Sequence, residues 1–166
     1  MWIGAIRLRV RTKDVQHAGT DSLVKVHVMR NFLPIKTLKL DYSSEDDLEQ
    51  GAVRNYNYLG LDWDNDQTPP LPPGIGQNPM PYPFYGLEFS SGLPGHLMLI
   101  LQILGNDMWI KDSVELHIKA IRLVSTSFDT VDWREDASWT HVATWGKDVR
   151  MSTDSGEGSS TWTLIV

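Results

Sequence analysis

Oxygen donors concentrate in three short stretches of the chain. Ala18-Gly19-Thr20-Asp21 joins two alternating segments, Asp46-Asp47-Leu48-Glu49-Gln50-Gly51 precedes a third, and Asn106-Asp107-Met108-Trp109 leads into a fourth. Carboxylates, hydroxyls and carbonyls are ligands for hard cations. Calcium takes roughly six to eight oxygens in flexible geometry, so it suits several loops brought together better than one rigid element. The same Asp residues also have a purely structural use, because Asp in a turn accepts hydrogen bonds from nearby backbone amides.

Other chemistries lack their residues. The five His, at 17, 27, 96, 117 and 141, show no His-x-x-x-His or His-Glu-x-x-His spacing, and there is no Cys; zinc and thiolate sites are therefore not expected. Nucleophile-elbow, phosphate-loop and dinucleotide signatures are missing. Asp62-Trp63-Asp64-Asn65-Asp66 alternates like the start of an EF-hand loop, but its sixth place is Gln67 and its twelfth is Pro73, so the turn glycine and the bidentate Glu are both absent. No catalytic residue is expected.

Strand-like segments hold these loops in place. Apolar and polar residues alternate strictly over residues 6–11 and 24–28, and further short segments fall at 37–42, 54–59, 85–89, 97–103, 114–118, 120–124 and 161–166. Most are bounded by Gly, Pro, Asn, Asp or Ser, and no long helical period appears beyond a capped turn at 44–50. An antiparallel two-sheet β-sandwich is expected. At 166 residues with 41% hydrophobic content and seven Trp, the chain suits one domain spanning 1–166. Eight of nine prolines lie between Pro69 and Pro94, which makes residues 62–95 a long Pro-rich loop insertion with polyproline II character at 69–73. Residues 125–160, with Trp133, Trp139 and Trp145, read as a loop-rich extension.

These segments in their order resemble the PLAT domain, also called LH2, the C2-like β-sandwich of lipoxygenases, pancreatic-type lipases, polycystins and clostridial phospholipase toxins. The Ala-Gly-Thr-Asp turn after the first strand, the polar Asp46 to Gly51 loop and the acidic entry to Trp109 carry the resemblance, over about residues 3–59 and 87–123. It implies that Ca2+ is bound: the Gly19 carbonyl, Asp107 and the Met108 carbonyl share one ion, and Thr20, Asp21, Asp46 and Asp47 surround a second. His17 departs from the pattern, standing where toxin-type members offer an acid, with Asp14 as a substitute nearby. The resemblance further implies a non-catalytic accessory module, with chemistry in a separate domain.

The charge distribution is uneven. The formal net charge is −6, yet residues 1–39 hold eight Lys/Arg against Asp14 and Asp21. Arg7, Arg9 and Arg11 share the polar phase of the first strand. They form either an ordinary solvated face or a basic patch for phosphate headgroups. The expected function is a calcium-modulated binding module for a phospholipid membrane surface or a membrane-associated protein partner, with Trp63 and Trp109 entering the interface. Two alternatives stay open: a protein–protein interaction module using the Pro-rich insertion, and a carbohydrate-binding jelly roll using exposed Trp. Nucleic acid is not an expected partner. The sequence shows neither a signal peptide nor a membrane-spanning stretch, so a soluble chain is expected, compatible with peripheral membrane association, and its location stays open.

Overall fold

A computed structural model describes residues 2–30, 32–40, 48–58, 97–105, 107–127 and 130–166. All regular structure among them is β. One sheet is ordered β4(Val53–Tyr58), β1(Trp2–Thr12), β6(Trp109–Ser127), β7(Thr130–Glu135), with β8(Thr140–Met151) also pairing β6. The second sheet is ordered β3(Leu33–Lys39), β2(Leu23–Arg30), β5(Leu97–Leu104), β9(Thr161–Ile165). Every pairing is antiparallel. The expected two-sheet sandwich is what the chain forms.

Period-two alternation decides which side chains meet between the sheets. Ile6, Leu8 and Val10 of β1 and Val114, Leu116 and Ile118 of β6 face Val24, Val26 and Val28 of β2 and Leu99, Leu101 and Ile103 of β5, all at most 1% exposed. Truncating any of these to Ala costs about 2–5 kcal/mol where the residue is Leu or Ile. The alternation slips at register shifts between Arg11 and Thr12 on β1 and between Lys111 and Ser113 on β6. There Trp109, Ile110 and Lys111 are buried in succession.

Two sequence expectations are corrected. The strands expected separately at 114–118 and 120–124 are one 19-residue strand, β6, which is long enough for β7 to pair its second half and β8 its first. Among the described residues, 125–160 are not loop-rich, since they supply the end of β6, β7 and β8, with residues 136–139 joining β7 to β8 and residues 152–160 leading from β8 to β9. Asp, Gly and Ser punctuation misleads there because the paired backbone overrides weak local propensity. The Pro-rich insertion at 62–95, the segment at 85–89, Asp46, Asp47 and Trp63 lie outside the described residues.

Two non-glycine residues have positive φ, His17 at 62° and Phe32 at 66°. Each such residue costs on the order of 1–3 kcal/mol, so both need support from their surroundings. They sit at opposite ends of the sandwich, one before β2 and the other after it.

Candidate functional site

One end of the sandwich gathers three loops: residues 13–22 after β1, residues 48–52 before β4, and residues 105 and 107–108 between β5 and β6. Backbone hydrogen bonds tie them together. Thr20 N donates to Leu48 O at 3.2 Å, Ile110 N to Ala18 O at 3.0 Å, and Thr12 N to Ala52 O at 2.9 Å. Side chains add to this. Thr20, 7% exposed, donates through Oγ1 to Asp107 O at 3.3 Å and accepts from Ser22 N at 3.0 Å, while Asp21 N donates to Asp107 Oδ2 at 2.9 Å.

Glycine is required at two points. A Cβ on Gly19 would stand 3.0 Å from Gln50 N and Glu49 Cα, and those are backbone atoms that cannot swing aside. At Gly105, with φ 156°, a Cβ would fall 2.2 Å from Ser22 Oγ. The two glycines therefore set how closely the first loop approaches the other two.

The loops enclose an open pocket of about 280 Å³ lined by His17, Gly19, Thr20, Asp21, Glu49, Gln50 and Asp107. The resemblance divided Gly19 and Asp107 from Thr20 and Asp21 between two ions, and in the fold all four line the one pocket. Met108 is half-buried at the entry to β6 and does not line the pocket. Asp14 is turned elsewhere and accepts from Gln50 Nε2 at 3.0 Å. Glu49 was missed, although it stands two residues before Gly51 in the polar loop already singled out. Only the contact with Gly19 shows that this carboxylate shares a wall with Asp21 and Asp107.

The pocket supplies oxygen almost exclusively, from three carboxylates, a hydroxyl, an amide and backbone carbonyls. That donor set suits a hard cation such as Ca2+ and leaves His17 as the one nitrogen donor. Among the described residues, no group of three or more His, Cys, Asp or Glu is arranged to hold a metal ion. Part of the Asp107 carboxylate's capacity is spent on the Asp21 amide, which is the structural use that Asp has in loops.

Trp109 corrects the expectation of an interfacial aromatic. It is 0% exposed, and its Nε1 donates to Thr12 Oγ1 at 3.0 Å, which in turn donates to Leu48 O at 3.3 Å. The register shift after Arg11 turns this ring inward, where the Trp109–Thr12–Leu48 chain pins the second loop to the core. Trp139, Trp145 and Trp162 are half-buried, and Trp139 lies under the Arg7 guanidinium at 4.3 Å.

Arg7, Arg9 and Arg11 do share one sheet face, but they are not a bare basic patch. Arg7 Nε also donates to Asn57 Oδ1 at 2.6 Å, Arg9 stands 3.7 Å from Glu115, and Arg11 stands 3.9 Å from Asp112. These exposed pairs contribute at most about 1 kcal/mol each, yet they cancel much of the local field. Behind the pocket, Lys111 is 0% exposed with Nζ 3.6 Å from the centre of the Trp162 ring. Burial lowers its pKa to about 8, against weaker raising effects of Asp112 and Asp148.

No family model matches the sequence, and no curated protein is similar to it. Solved structures do resemble it. The alpha toxin from Clostridium absonum aligns over 98% of this chain at 15% identity with a TM-score of 0.48, and the match covers 31% of the toxin chain. A coral 8R-lipoxygenase, described with calcium activation via a C2-like domain, aligns over 85% at 19% identity with a TM-score of 0.41. A lipoxygenase variant, Delta413-417:GS I805A, aligns over 96% at 17% identity with a TM-score of 0.42. This chain spans 31% of the toxin and 16% of each lipoxygenase.

Proposed function

We propose that the chain is a non-catalytic binding module whose acidic loop end takes up Ca2+ and thereby docks on phosphate-bearing lipid headgroups. The observation that supports this reading is the open pocket that Asp21, Glu49 and Asp107 line from three loops. When bound, the ion would offset the repulsion among these carboxylates and offer open coordination positions to a phosphate oxygen. The chain's own part is to hold the loops in register. Gly19 allows the close approach, Thr20 links the first loop to both others, and the Trp109–Thr12–Leu48 chain fixes the base. Asp46 and Asp47 stand just upstream of Leu48 in the same loop as Glu49, which gives the second loop further oxygen donors in sequence.

Two measurements test this reading together. Calcium at a hundredfold excess over Kd stabilises a native state that alone binds it by about 2.7 kcal/mol, which a thermal melt resolves. Sedimentation with phosphatidylserine vesicles should then depend on calcium and be lost with Asp21→Asn combined with Asp107→Asn. Superimposable melts in calcium and chelator would sink the ion site.

A further inference from the structure

Two histidines stand side by side on the outward face of the sheet built around β6. His117 of β6 lies directly opposite His141 of β8, with ring centres 5.2 Å apart and planes at 70°. Their spacing along the chain gives no sign of the pair, and an irregularity in the strand pairing creates it. Ala143 and Trp145 stand opposite the inward residues Leu116 and Val114, so strict alternation would turn residue 141 inward as well. The register shift between Leu116 and His117 instead inserts Val142 as an extra residue on β8. Val142 packs against the core, and His141 moves to the exposed face beside His117.

Both rings are held at the same nitrogen. His117 Nε2 is 3.2 Å from Glu115 Oε2, and His141 Nε2 is 2.8 Å from Thr144 Oγ1. An ionised carboxylate only accepts, so His117 carries its proton on Nε2 and keeps a lone pair on Nδ1, and the Thr144 hydroxyl can accept from His141 in the same way. Neither Nδ1 has a hydrogen-bond partner among the described residues. A carboxylate that holds one imidazole nitrogen and leaves the other unused is the arrangement found around metal-bound histidines, where the outer partner fixes the tautomer and raises the basicity of the ring. The separation agrees with this. With metal–nitrogen bonds of about 2.0–2.1 Å, an ion lies about 3.2 Å from each ring centre, and a tetrahedral angle at the ion then sets the centres about 5.2 Å apart.

The neighbouring charges select the kind of ion. Arg7 stands opposite His117, Arg9 opposite Glu115, and Lys119 shares the Trp139 ring with Arg7. A hard cation needs anionic oxygen and is disfavoured among these side chains, whereas a borderline ion is held by neutral imidazole nitrogen. We infer that His117 and His141 form a two-histidine site for a late first-row divalent transition ion, Zn2+ or its neighbours Ni2+ and Cu2+, taken up through the two Nδ1 atoms with water completing the coordination. Solvent reaches both rings, since the His117 side chain is 20% exposed and His141 is exposed. The ion would clamp β6 to β8 at the bulge, where the ladder of backbone hydrogen bonds is interrupted. This site lies on a sheet face away from the acidic loops, and it stands or falls independently of the calcium reading.

The untagged chain is titrated with zinc chloride by calorimetry, in a non-coordinating buffer that contains excess calcium. Saturable one-to-one binding is expected. His117→Gln and His141→Gln should each weaken it tenfold or more, and Glu115→Gln by about tenfold, as the loss of an outer partner of a metal-bound histidine does, while every variant melts cooperatively. A second measurement needs no substitution. In nuclear magnetic resonance spectra of the wild-type chain, substoichiometric Ni2+ should broaden the ring signals of His117 and His141 and leave those of His17 and His27 sharp. Absence of saturable zinc binding, or binding undiminished in both histidine variants, overturns the proposal. So does broadening spread evenly over all the histidines, which marks an adventitious ion only.

Discussion

Replacing Lys111 by Met should stabilise the protein at neutral pH. The ammonium lies in a fully enclosed position, held at about 8 instead of its ordinary 10.5 because burial removes water from the charge faster than Asp112, Asp148 and the Trp162 face compensate. At about 1.36 kcal/mol per pH unit, that displacement corresponds to a ceiling of about 3 kcal/mol. Relaxation and screening around the two aspartates reduce it to on the order of 2 kcal/mol. Met matches the stem in length and adapts to irregular space, and Asp148 keeps Lys13 as an ionic partner.

The sign follows from the direction of the displacement. Below pH 8 both folded and unfolded chains hold the proton, so the whole cost of the buried charge is present. Between 8 and 10.5 the unfolded chain retains a proton that the native chain has released, and wild-type stability rises with pH. Above 10.5 the cost has vanished. Urea denaturation of wild type and Lys111→Met, followed by tryptophan fluorescence, should therefore show the variant ahead at about pH 7 with the gap closing towards about pH 10.5. A variant less stable than wild type at neutral pH, or a gap that does not change with pH, refutes the reasoning, because the ammonium would then be a net contributor through Trp162.

Trp109→Phe removes the donor to Thr12 and part of a filled volume, and should cost about 2–4 kcal/mol by chemical denaturation, together with a weaker calcium response if the second loop is freed. Gly19→Ala forces Gln50 and Glu49 backbone atoms outward, and should lower the melting temperature and lose the calcium-induced shift in the same variant. His17→Asp puts an oxygen donor on the pocket wall at a backbone position that Asp tolerates, so calorimetric titration should give tighter calcium binding; equal or weaker binding removes His17 from the ligand position. Arg9→Gln with Arg11→Gln should change vesicle adsorption little, since Glu115 and Asp112 already oppose these charges, and a large loss would restore the first strand as a lipid-facing patch.

The sequence was legible where local pattern and burial agree. Strict alternation in β1 and β2 located both strands and their inward sets, because a one-residue slip would expose the whole apolar row. It failed where tertiary contact decides. Trp109 follows an acidic loop and reads as an exposed aromatic, but the register shift against β1 turns it inward, and that shift leaves no mark in composition. Lys111 is buried beside the same irregularity, and nothing in the sequence analysis singled it out. Glu49 is one acid among several in its loop, and only the approach of Gly19 to the 49–50 backbone singles it out. The arginines of β1 were placed on the correct face, while their partners Glu115 and Asp112 lie a hundred residues further on.

Charge is sorted by sheet in a way that linear order only half reveals. The basic excess of residues 1–39 runs through β1, β2 and β3, and the fold divides it. β1 goes to the sheet that also contains Asp112, Glu115 and Asp148, so its arginines meet acids. β2 and β3 go to the sheet whose other strands, β5 and β9, contain no charged residue at all. The arginine stripe most visible in the sequence is thus largely offset by acids of its own sheet. In the other sheet the register separates the cations: Lys25 stands opposite Lys39 near the pocket end, whereas Arg30 stands opposite Leu97 and Lys36 opposite Val28, both on the inward phase. Linear order therefore shows where cations are concentrated, and register decides which of them can share a face.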